Sequence, residues 1–99
     1  MNRDQAVAVL RFLRPQLEAR GIEHAGLFGS VARGDAGPQS DVDVVVTPRE
    51  AVRFDLWDAG SVQDILERGF AGRSVDVVVT PVSKAALKVA IDLETVDAF

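Results

Sequence analysis

The heptapeptide Val-Asp-Val-Val-Val-Thr-Pro occupies residues 42–48 and recurs, letter for letter, at residues 75–81. β-Branched residues fill both copies and a proline closes each, so each is predicted to be a strand that ends at its proline. Nothing similar lies one period upstream, and a solenoid needs at least three stacked units, so the repeat reads as two adjacent strands doing matching jobs. Side chains alternate across a strand at about 3.3 Å per residue, which puts Asp41 and Asp43 on one face with their Cα atoms roughly 7 Å apart. Val42 and Val44 face the other way, as do Val75 and Val77 around Asp76. Aspartate is disfavoured in strands, and valine runs of this kind mark burial on both faces. Asp43 and Asp76 therefore need a reason to be there, because an unpaired charge inside such a run is costly.

The rest of the chain supplies the partners of these two strands. From Asn2 to about Arg20, Val7, Leu10, Phe12, Leu13 and Leu17 recur near helical spacing, and Gly21 follows as a stop. Pro15 predicts a kink there or a division into two shorter helices. Ala25 to Phe28 is a short apolar strand running into Gly29-Ser30, and Val31-Ala32-Arg33 reads as the first turn of a short helix. Residues 34–40, with two glycines and a proline, read as a loop. No pattern is clear from Arg49 to Asp55. Trp57, Val62, Ile65, Leu66 and Phe70 then form the inward stripe of a helix, although Gly60 weakens its start. Ser74 to Thr80 is the second valine strand. A last helix is predicted from Ser83 or Lys84 through Leu87, Val89, Ala90, Ile91 and Leu93, with Val96 to Phe99 as a short edge strand. Trp57 and Phe54 are expected in the core, and His24 is expected as a solvated residue in the loop before the first strand. The pattern implies an α/β (α+β) fold, a small mixed β-sheet with helices packed on it.

A chain of 99 residues suits one domain, taken as residues 1–99. Its hydrophobic fraction of 47% excludes a disordered chain, and no apolar run approaches the roughly 20 residues of a membrane helix. No membrane partner is expected. With no secretion signal and no cysteine, a cytoplasmic location is the default. The net charge of −4 opposes binding along a nucleic-acid backbone. A small anionic substrate escorted by metal, or a protein acceptor, fits the charge better.

Paired in matching register, the valine strands would bring Asp76 to the face that carries Asp41 and Asp43. Three carboxylates so placed raise one another's pKa unless a cation intervenes. Mg²⁺ suits them, since it prefers oxygen ligands and often takes only a few carboxylates plus substrate phosphates. Two such ions would serve an in-line displacement at phosphorus. Asp41 alone also reads as a capped, solvated strand edge. Gly29-Ser30, between a strand and a helix start, offers backbone N–H groups and a hydroxyl to an anion such as a triphosphate. Arg33 either steadies a phosphate or pairs with Asp35 or a helix end.

The run Leu27-Phe28-Gly29-Ser30-Val31-Ala32-Arg33-Gly34, ten residues between Ser30 and Asp41, and then Asp41-Val42-Asp43 resembles the signature of the polymerase-β-type nucleotidyltransferase superfamily. Within it, the chain is most similar to the minimal nucleotidyltransferase (MNT) family, and the likeness extends from Leu27 to Val79. The resemblance implies a polymerase-β-like fold without the helical second domain of larger relatives, so that the nucleotide pocket is open or completed by another chain. It implies that Gly29 and Ser30 grip the triphosphate of ATP, that Asp41 and Asp43 bind two Mg²⁺ ions, and that Asp76 helps activate the acceptor hydroxyl. It also implies a partner. In the minimal family this is commonly a HEPN-domain ribonuclease toxin, which the nucleotidyltransferase neutralises as antitoxin by adenylylating a tyrosine. Two other readings remain: a module that blocks its partner by contact alone, and a regulatory α/β domain that binds a metal for stability.

Overall fold

A computed structural model describes residues 1–37, 40–50, 53–81 and 85–99. The first helix, α1 (Arg3–Ala19), opens on a capping box in which Asn2 and Gln5 exchange side-chain-to-backbone hydrogen bonds. It runs unbroken through Pro15, where a kink or a division was expected. Pro15 is exposed, so the carbonyl that loses its partner faces water, while Leu13 and Leu17 anchor the helix on either side. The buried stripe is Ala6, Leu10, Leu13 and Leu17. Phe12, placed inward from the sequence, is 79% exposed. It stands two residues from Leu10, about 200° around the helix and off the stripe.

The strand β1 (Ile22–Phe28) starts three residues earlier than the apolar run suggested, so His24 is an exposed residue of the strand and not of a preceding loop. It leads straight into α2 (Gly29–Arg33). The two copies of the repeat become β2 (Val42–Pro48) and β3 (Val75–Val79), joined through α3 (Leu56–Gly69). Asp55 and Asp58 cap α3 reciprocally, and Val62, Ile65, Leu66 and Phe70 carry its buried side. Phe54 packs against the core as expected, but Trp57 is 86% exposed. Five residues before Val62, Trp57 falls about 140° off the buried stripe. The chain ends with α4 (Ala85–Glu94) and β4 (Val96–Asp97). The alternative helix starts Ser83 and Lys84 lie outside the described residues, as does the side chain of Ala90.

One four-stranded mixed sheet results, in the order β3-β2-β1-β4. β1 is antiparallel to β2 and to β4, whereas β2 and β3 are parallel, with α3 in the connection that a parallel pair requires. α1 and α3 cover one face, where Leu10, Leu13, Leu17, Leu27, Leu66 and Phe70 close over Val42, Val44 and Val46. Asp43 lies on the opposite face. Among the described residues, α4 lies over that side, and it buries Ile91 but leaves Val89 and Leu93 56% and 80% exposed. Among the described residues, no helix is long and apolar enough to cross a membrane.

Candidate active site

Matching register between the repeats places Asp43 opposite Asp76, as Val42 is opposite Val75 and Val44 opposite Val77. On its other flank Asp43 pairs with Phe28, the last residue of β1. Asp43 therefore sits in the central strand, half-buried, while Asp76 is exposed on the edge strand and Asp41 is exposed one residue before β2 begins. The arrangement shows in its protonation. Burial pushes the Asp43 carboxyl above its ordinary pKa, the charges of Asp76 and Asp41 push it further, and a hydrogen bond with Asp76 adds to this. The Arg33 guanidinium pulls in the opposite direction.

The glycine–serine turn is pressed against this carboxylate. Gly29 holds φ at +73°, and a Cβ there would collide with Asp43 Oδ2 and lie 3.1 Å from its Cγ. Glycine is thus required twice, for the left-handed backbone and for the close approach. Ser30 follows in α2, where its carbonyl accepts the Gly34 and Asp35 N–H groups and the chain turns out through Gly34 at φ +84°. Arg33, at the end of α2, donates from Nε to Asp35 at 3.2 Å and from Nη1 to Glu94 at 3.1 Å. Asp35 above all, and then Glu94, hold the guanidinium more firmly protonated. The pairing with Asp35 is one of the two roles open to Arg33 in the sequence. Glu94 is new, because a contact across 61 residues leaves no local signal.

Asp43, Asp76 and Gly29 are thus in direct proximity, and Asp41 and Arg33 are close enough to act on Asp43 through their charge. Among the described residues no three histidine or acidic side chains form a ready metal cage. This open acidic cluster still fits Mg²⁺, which typically uses one or two carboxylates and completes its shell with water and substrate phosphates. Burial of Asp43 beside Asp76 and Asp41, which Arg33 offsets only in part, is the feature that calls for a cation.

No curated protein matches the chain at a significant level. Among solved structures, a candidate minimal nucleotidyltransferase superposes with a TM-score of 0.79 at 27% identity, over 97% of this chain and 95% of that one. A toxin–antitoxin structure with AMP-PNP gives 0.69 at 20% identity, over 100% and 73% of the two chains. A complex of the tri-AMPylated Shewanella oneidensis HEPN toxin with its MNT antitoxin gives 0.65 at 16% identity, over 94% and 71%. These last two likenesses establish a shared fold. The model of the nucleotidyltransferase domain matches residues 9–95, and the chain belongs to that family.

Proposed function

We propose that residues 1–99 act as one nucleotidyltransferase domain that moves AMP from ATP to a tyrosine hydroxyl of a HEPN-type ribonuclease toxin, as its cytoplasmic antitoxin. The observation that carries this reading is the register of the repeat, which sets Asp43 beside Asp76 and against Gly29. Asp41, Asp43 and Asp76 would hold two Mg²⁺ ions, which when bound offset the clustered negative charge and stabilise charge developing on the phosphoryl group and the departing pyrophosphate. In the transfer, the acceptor hydroxyl gives up its proton to Asp76 and on to solvent, its oxygen bonds to the α-phosphorus, the bond from that phosphorus to the bridging oxygen breaks, and pyrophosphate leaves. Asp76, exposed on the edge strand, can accept a hydrogen bond from the incoming hydroxyl and orient it. Gly29 lets the backbone approach the polyphosphate, and the Ser30 hydroxyl donates to it. Arg33 would exchange a carboxylate partner for phosphate, which the guanidinium fork binds equally well. Support for the partner class comes from the fold shared with an MNT antitoxin whose HEPN toxin partner is AMPylated.

A contact-only mode of neutralisation is favoured by one feature, the exposure of Leu56 and Trp57 at 89% and 86% near the start of α3. Asp43→Asn separates the two readings. Loss of neutralisation while the complex still forms supports catalysis, and full neutralisation by the variant contradicts it.

A further inference from the structure

β3 is an edge strand, and among the described residues one side of its backbone has no strand against it. The Ser74 carbonyl accepts the Val42 N–H and the Thr80 N–H donates to the Val46 carbonyl, so Ser74, Asp76, Val78 and Thr80 turn their backbone groups toward β2. Val75, Val77 and Val79 turn theirs outward. Gln63 Nε2 of α3 donates to the Val75 carbonyl at 2.7 Å. No described residue meets the outward N–H and carbonyl groups of Val77 and Val79. Bare edges of this kind are templates for another strand, and folds blunt them by brevity, lysine, proline or a bulge. β4, at the opposite edge, is blunted by its length of two residues. β3 has five residues and none of these devices, and Val77, Val78 and Val79 are only half-buried.

The side of α3 that borders this edge is open. α3 runs opposite to β3, since Gln63 meets Val75 while Phe54, just before the helix, lines a common cavity with Val79. Leu56 precedes Gln63 by seven residues, about 20° short of two full turns, so it points to the same side about 10 Å nearer the Val79 end. It is 89% exposed. Between Leu56 and Gln63 stands Gly60, where a Cβ would meet nothing within 4 Å. A strand laid against Val77 and Val79 finds room beside Gly60 and an apolar cover in Leu56. The pattern of outward groups identifies that strand as a second β3. Antiparallel pairing about a two-fold axis at Val78 sets Val77 opposite Val79 of the second copy, and each such pair exchanges both of its N–H···O=C bonds. This register leaves the Val75 carbonyl to Gln63, whereas an axis at Val77 would demand that carbonyl. It also sets Asp76 opposite a hydroxyl, that of Thr80, and keeps the two Asp76 carboxylates roughly 14 Å apart.

We propose that two copies of this chain pair through their β3 edges, antiparallel about Val78, into one continuous eight-stranded sheet with Leu56 covered at the junction. Both acidic clusters then open on the same face, and Asp76 changes from an edge-strand residue to an interior one. The pairing does not depend on the assignment of nucleotide or acceptor. Sedimentation equilibrium of the native chain should give twice the monomer mass. Val78→Lys puts like charges directly across the axis, as does Val78→Glu, so each variant alone should be monomeric. Mixed in equal amounts they should recover the dimer, because only a residue on the axis meets its own counterpart. Leu56→Ser, at a position too exposed to matter to the monomer fold, should raise the dimer dissociation constant roughly tenfold or more, the scale of one buried leucine. A native chain that stays monomeric at the concentrations used for NMR overturns the proposal, and so does a Val78→Lys chain that remains dimeric. Two monomeric variants that fail to combine overturn the axis at Val78 and the pairing built on it. Should a position-78 variant lose its native circular dichroism, Leu56→Ser decides, and an unweakened dimer there contradicts the edge pairing.

Discussion

Asp43 and Gly29 concentrate the consequences of the site in two side-chain positions. The folded-state pKa of Asp43 stands above its ordinary 3.8, so its carboxyl favours the fold while protonated. That contribution is complete below about 3.8 and is lost as pH rises through the raised value. In chelator at neutral pH, Asp43→Asn is therefore expected to melt above the native protein, with the gap closing on acidification; a lower Tm for the variant at neutral pH would contradict the repulsion. Asp55 has the opposite sign, because hydrogen bonding at the start of α3, first from the Asp58 backbone, lowers its pKa. Its stabilisation is present above 3.8 and is lost as pH falls through the lower folded value. At Gly29, alanine meets both the left-handed backbone and the Asp43 carboxylate. Gly29→Ala should cost about 1–2 kcal/mol by denaturant melt from the backbone alone, and should weaken Mg-nucleotide binding at least tenfold. Unchanged nucleotide affinity would remove the turn from the site.

At the scale of helices and strands, the repeat made the sheet legible because its composition, its closing prolines and its alternation all specify the same thing. The pairing of Asp43 with Asp76 follows from two identical strands placed side by side in the same register. The helices were less legible at their edges. Phe12 and Trp57 are large and apolar, and hydrophobicity alone drew them inward, but their angular positions miss the stripes set by Leu10, Leu13 and Leu17 and by Val62, Ile65 and Leu66. Angle outweighs composition there. Accordingly Phe12→Ser is expected to change stability by less than about 0.5 kcal/mol. Leu66→Ala, at a fully buried position, should cost about 2–5 kcal/mol in the same urea titration. Comparable losses from the two changes would mean that the face carrying Phe12 is covered. Pro15 was overread for a similar reason, since a proline on an exposed side disturbs a helix less than one facing its neighbours.

For the whole molecule, the site depends on contacts that no local pattern could reveal. Arg33 reaches Glu94 across 61 residues and links α2 to the end of α4 over the open face. A cavity under α4 likewise exists only once β1, β2, β3 and α4 are assembled. What the sequence offered was the proposed chemistry: a glycine–serine turn and three aspartates at the spacing of the nucleotidyltransferase signature, on a chain of net charge −4. Transfer to a protein is the central claim, and labelling tests it most directly. The native chain and an Asp41→Asn/Asp43→Asn variant are each incubated with ATP labelled at the α-phosphate, Mg²⁺ and a HEPN-type ribonuclease toxin as the proposed partner. Label should appear on a tyrosine of that partner with the native chain and be absent with the variant. Equal labelling by both, or a stable and neutralised complex with no label at all, would contradict AMP transfer by these aspartates.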